Sequence, residues 1–109
     1  MLELWQAEWC PASRRVRQRL TELGLDFVAR QVPVDKERRD ALQQRTGSDT
    51  IPALVLTDDS TFVGEDAIRA YLAQHVAEPP EAKAHQLKAA KARRRYLEEE
   101  CECSQVPTA

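Results

Sequence analysis

The chain has 109 residues, of which 42% are hydrophobic and 31% charged, and its formal net charge is −2. That size suits one small domain with one modest core and excludes two. The charge balance gives no reason to expect nucleic acid or an anionic membrane as partner, and no apolar run approaches the roughly 20 residues of a membrane helix.

Leu2-Glu3-Leu4-Trp5-Gln6 alternates apolar and polar residues, as a half-buried strand does. It has no basic lead and no long apolar stretch, so no secretory signal is expected there and the protein reads as cytoplasmic. Ala7-Glu8-Trp9-Cys10-Pro11 is a short loop ending at a proline. Proline is favoured at the first helical position, where no backbone N–H bond is lost. Val16, Leu20 and Leu23 follow at helical spacing and Gly24 stops the helix. Asp26 to Val32, with Phe27 and Val28, favours a strand.

Asp35 predicts the cap of a second helix, with Ala41 and Leu42 turned inward and Gly47 at its end. Ala53-Leu54-Val55-Leu56 is wholly apolar and reads as a buried strand. Asp58-Asp59-Ser60 is a turn into the short strand Thr61-Phe62-Val63, which Gly64 breaks. A third helix follows from about Asp66, with Ile68, Tyr71 and Leu72 inward. The order β-α-β-α-β-β-α implies a right-handed parallel crossover followed by an antiparallel pair. That is the α/β thioredoxin-like fold.

Pro79-Pro80 marks a boundary, giving a domain over 1–78 and a C-terminal extension over 79–109. Glu81 to about Arg95 has helical composition. Leu87, Ala90, Leu97 and Cys101 share a seam, but basic residues precede Glu98-Glu99-Glu100, the reverse of what a helix dipole favours. The expectation is a helix docked through Leu87 and Tyr96, fraying near Glu98, with Ser104 to Ala109 disordered. Arg93-Arg94-Arg95 is short and followed by glutamates, so it reads as a solvated face.

The three cysteines, Cys10, Cys101 and Cys103, are too few and too widely split for a disulfide framework. His75 and His85 lie at no ligand spacing and read as surface residues. Cys10 stands where a strand ends and a helix begins. Unpaired N–H groups and the helix dipole stabilise negative charge there, and the thiolate is the nucleophilic form of cysteine. Arg14 and Arg15 add positive potential. Ser13, three residues on, can donate a hydrogen bond to the thiolate but cannot form a disulfide with it. Taken alone, Cys10 could equally be a small core-filling residue.

Trp9-Cys10-Pro11-Ala12-Ser13, then Thr50-Ile51-Pro52, then Gly64-Glu65-Asp66-Ala67-Ile68, resembles the glutaredoxin family and the N-terminal domain of glutathione transferases over roughly residues 1–76. The resemblance implies a thiol–disulfide oxidoreductase with Cys10 and Ser13 as catalytic residues. It also implies a cis peptide bond at Pro52, with the Ile51 backbone pairing an extended thiol substrate like an added strand. Thr50, Ile51, Pro52, Glu65 and Asp66 would then bind glutathione, the co-substrate, its γ-glutamyl carboxylate meeting helix N–H groups and its ammonium meeting Asp66.

The sequence also departs from that family. Ser13 replaces the second active cysteine of dithiol members, which leaves a monothiol route. Pro11 and Ala12 replace the glycine and phenylalanine usual in cluster-binding monothiol members, so iron–sulfur carriage is a minor alternative and no metal site is expected. Ala7 takes the place of a lysine that many members direct at the glycine carboxylate of glutathione. Glu8 beside it would repel that carboxylate, and Arg38 or Arg39 is a candidate replacement. The all-helical second domain of full transferases has no counterpart here, which disfavours a conjugating transferase. The partner is a small thiol or a protein mixed disulfide. A non-catalytic thiol or protein-binding module is the other reading. Cys101 and Cys103 are two thiols on an acidic tail, too few for a four-ligand metal site, or one of them resolves a disulfide on Cys10.

Overall fold

The computed structural model describes residues 1–105, with side chains described through Arg95. Four strands form one mixed sheet in the order β2-β1-β3-β4: β1 (Leu2–Gln6), β2 (Phe27–Gln31), β3 (Ala53–Val55) and β4 (Thr61–Val63). β1 and β2 are parallel, and the other two pairings are antiparallel. The helices are α1 (Pro11–Glu22), α2 (Asp40–Thr46), α3 (Glu65–His75) and α4 (Ala82–Gln105). The thioredoxin-like order expected from the sequence is the order observed.

The alternation in β1 decides how the sheet is covered. Leu4 points to one face and packs with Val16 and Leu20 of α1, Leu54 of β3, and Ile68 and Leu72 of α3. Trp5 points to the other face, where Leu42 of α2 packs with Val32 and Ala53. Leu4, Val16, Leu20, Leu54 and Ile68 are fully buried. Truncating such a leucine to alanine costs about 2–5 kcal/mol, so the face under α1 and α3 holds most of the fold's stability. β2 is an edge strand whose residues after Phe27 are exposed, which is why its apolar Val28 contributes little.

Local chemistry sets the helix ends. Cys10 caps α1 in an extended conformation and Pro11 occupies its first turn. After Leu23, Gly24 turns left-handed (φ 70°), and Leu25 N–H closes the helix on the Leu20 carbonyl at 2.9 Å. Asp35 does not cap α2 as expected. It precedes a 3-10 turn over Lys36–Arg38 and makes no side-chain cap bond, and the α-helix starts only at Asp40. Leu42 is buried, but Ala41 is exposed.

The C-terminal helix also differs from its expected form. It continues through Gln105 rather than fraying near Glu98, and Leu87 is 64% exposed rather than docked. Buried Ala82 and polar links hold it instead. Gln86 donates to Glu22 Oε1 at 3.2 Å and Arg93 donates to Gln18 Oε1 at 3.0 Å. The contact moves up α4 as it moves down α1, so the two helices run antiparallel. Glu22 anchors this joint: burial raises its pKa, but bonds from Gln18, Arg19 and Gln86 outweigh that and hold it below the ordinary carboxylate value. The Tyr96 side chain and residues 106–109, on which other expectations fell, lie outside the described residues.

Candidate active site

The sheet register gathers the candidate residues at one end of the molecule. Trp5 pairs with Ala53, and Ala53 pairs with Val63. The loop after β1, the loop before β3 and the start of α3 after β4 therefore share one edge. Cys10, Ile51-Pro52 and Glu65-Asp66 lie on those three segments. The Ile51–Pro52 peptide is cis. Gly64 N–H donates to the Pro52 carbonyl at 2.8 Å, which ties the proline loop to the start of α3. Gly64 has φ 93° and ψ 154°, a backbone region that essentially only glycine occupies.

The partly buried Cys10 Sγ accepts the Ser13 N–H at 3.4 Å, one of the otherwise unpaired donors of α1's first turn. The Ser13 hydroxyl is fully buried, and its oxygen accepts the Ala7 N–H at 3.4 Å. Its own proton is thus left to point elsewhere. Partial burial raises the Cys10 pKa, but four influences outweigh it: the Ser13 hydroxyl, the N–H groups of Ser13 and Ala12, and the Arg15 guanidinium. The net direction is downward, toward thiolate. Ser13→Ala should therefore move the Cys10 titration upward, read as the pH dependence of its alkylation rate. An unchanged midpoint would mean that the backbone N–H groups and Arg15 set it without the hydroxyl.

The acidic pair at the start of α3 divides. Arg15 grips Glu65 with two bonds, of 2.7 and 2.8 Å, and Arg69 lies 3.9 Å away. The Arg15 bond, set against a smaller burial effect, holds Glu65 below its ordinary pKa. This link joins α1 to α3 beside the thiol, and no single-sequence signal announces a pair fifty residues apart. Asp66 is exposed and has no side-chain partner among the described residues.

Two expectations about charge are corrected. Glu8 is not an unopposed negative charge, because Arg17 pairs with it at 3.2 Å while bonding the Ala7 carbonyl and Gln6 Oε1. Arg39 is not a free carboxylate reader. It is 6% exposed and donates to the backbone carbonyls of Pro33, Asp49 and Val34 at 2.8, 2.8 and 3.1 Å. It clamps the segment leading to Thr50, and Arg38 is exposed on the surface. An open depression of about 280 Å³ beside the thiol is lined by Glu8, Trp9, Cys10, Pro11 and Arg14. Trp9 is 58% exposed there. Among the described residues, no three His, Cys, Asp or Glu side chains form a metal-holding group, and no helix is long and apolar enough to cross a membrane.

A cysteine capping the first helix, at the same sheet edge as a cis-proline loop, on a β-α-β-α-β-β-α chain order, defines the thioredoxin-fold class. Residues 2–61, more than half of the chain, match the Glutaredoxin family, and the chain belongs to that family. Among solved structures, it is similar to a glutathione S-transferase from Rhodospirillum rubrum at 30% identity and a TM-score of 0.63, covering 72% of this chain and 35% of that one. FzlA from C. crescentus gives 30% identity and a TM-score of 0.63, covering 72% and 36%. A glutathione S-transferase from Sinorhizobium meliloti gives 26% identity and a TM-score of 0.64, covering 73% and 38%. The chain thus spans little more than a third of the length of these relatives. No curated protein matches it.

Proposed function

We propose that the protein is a monothiol thiol–disulfide oxidoreductase acting on mixed disulfides of glutathione or a similar small thiol through Cys10. The observation that carries this reading is the Cys10 sulfur at the start of α1, bonded by the Ser13 N–H and pushed toward thiolate, with a buried serine where a second thiol would close a local disulfide.

The Cys10 thiolate attacks the glutathione sulfur of a mixed disulfide. A Cys10–glutathione disulfide forms, and the other thiolate leaves and takes up a proton. A second glutathione thiolate then attacks this adduct, which releases glutathione disulfide and restores the Cys10 thiolate. Thr50, Ile51 and Pro52 supply the backbone edge for the bound thiol. The first N–H groups of α3 meet its carboxylate, and Asp66 meets its ammonium. Glu65, held by Arg15, acts by fixing α3 against α1 rather than by touching the ligand. The test is steady-state reduction of a small glutathione mixed disulfide by the full chain. Saturable turnover is expected. Binding of glutathione without turnover would favour a non-catalytic module instead.

A further inference from the structure

β2 ends the sheet on one side, and its outer side is open. Val32 N–H donates to the Gln6 carbonyl, and Gln6 is paired with Gln31. In a parallel ladder, successive residues turn their backbone groups toward the neighbouring strand and away from it. Val28 and Arg30 therefore face β1, while Phe27, Ala29 and Gln31 turn their N–H and C=O groups outward. Among the described residues none bonds these outward groups, and residues 28–31 are exposed. Such an edge is a template for another strand. The side chains alternate too. Val28 and Arg30 share the face that carries Glu3 and Trp5, and exposed Asp26, one residue before β2, continues it. Arg30 lies 3.9 Å from Glu3, a carboxylate that Arg45 already bonds at 3.3 Å. Asp26 has no ion pair among the described residues.

We infer that this edge binds a second copy of the chain, the two β2 strands running antiparallel about a two-fold axis at Val28. Outward residues pair with outward residues. With Phe27 opposite Ala29 of the second copy, and Ala29 opposite its Phe27, each pair exchanges two backbone hydrogen bonds. Val28 then meets Val28 of the second copy in the closely spaced kind of pair, and Asp26 meets Arg30 on both sides of the axis. The neighbouring registers lose this match. One step sets Val28 against Arg30 or against Asp26, and two steps set Arg30 against Arg30 or Asp26 against Asp26, where like charges repel. The same patch serves on both copies, as a two-fold contact requires, and it joins two four-stranded sheets into one. About five residues a side make a small interface, so the dimer is weak and forms at high concentration.

The experiment is sedimentation equilibrium of the full chain, with its cysteines kept reduced, from about 10 μM to about 1 mM. A monomer–dimer equilibrium is expected in that range. Ala29→Pro removes an outward N–H and no bond to β1, a place where an edge strand tolerates proline. It should raise the dimer dissociation constant about tenfold or more, with a urea midpoint that shows the fold intact. Asp26→Arg and Arg30→Asp should each weaken the dimer about threefold or more, and the double variant, which restores opposite charges in reversed order, should return to within about twofold of the wild type. If Ala29→Pro does not fold, the charge exchange decides alone. A chain that stays monomeric to the highest concentration, a dimer that folded Ala29→Pro leaves unchanged, or a double variant no tighter than the single ones overturns the assignment.

Discussion

Cys10→Ser should abolish reduction of a glutathione mixed disulfide, lowering turnover by about a hundredfold or more. A serine oxygen is nearly the same size and can keep the Ser13 N–H bond. It cannot form a disulfide, and a hydroxyl stays protonated where the Cys10 thiol ionises. The variant should unfold in urea at the wild-type midpoint, because a partly buried sulfur contributes little to the core under α1 and α3. Activity lost at unchanged stability places the sulfur in the chemistry. Turnover that survives this exchange would show that the reaction does not pass through Cys10.

Arg39→Ala should destabilise the fold by about 3 kcal/mol, because it leaves three backbone carbonyls without their donor. The guanidinium is buried and ties Pro33 and Val34, after β2, to Asp49, ahead of the cis-proline loop. Lysine can bond only part of this set, since one ammonium cannot reproduce the planar fork. Arg39→Lys should therefore recover only a fraction of the loss. Urea unfolding of both variants checks this. A change below about 0.5 kcal/mol in the alanine variant, the size usual for a surface substitution, would show that water replaces the guanidinium freely.

The parts of the fold legible in the sequence are those governed by local pattern. The alternation of β1, the apolar run of β3 and the Val16 and Leu20 spacing each name their buried face, and the structure buries Leu4, Val16, Leu20 and Ala53–Val55, with Leu2 and Leu56 partly buried. Cys10 was legible because a cysteine before a proline after a strand reads as a helix cap. Asp35 misled because an aspartate favours any tight turn, and the 3-10 turn that follows it needs no side-chain cap. Leu87 misleads because the apolar seam of α4 runs through Leu87, Ala90 and Leu97 in the sequence. The joint to α1 is made instead by a small residue and polar side chains, which hydrophobic periodicity does not register. Arg15 with Glu65, Arg17 with Glu8 and the Arg39 clamp join residues that only the folded topology brings together. Each reassigns a charge that sequence alone left available for a ligand.

The measurement that tests the central claim most directly is the pH dependence of Cys10 alkylation in the full chain with Cys101 and Cys103 replaced by serine. Burial alone would lift the midpoint, while the Ser13 hydroxyl, the N–H groups of α1 and Arg15 lower it further than burial raises it. The alkylation rate should therefore rise through a midpoint below the roughly 8.5 of an unperturbed cysteine. A midpoint at or above that value would contradict the account and make Cys10 a structural cap of α1 rather than a nucleophile.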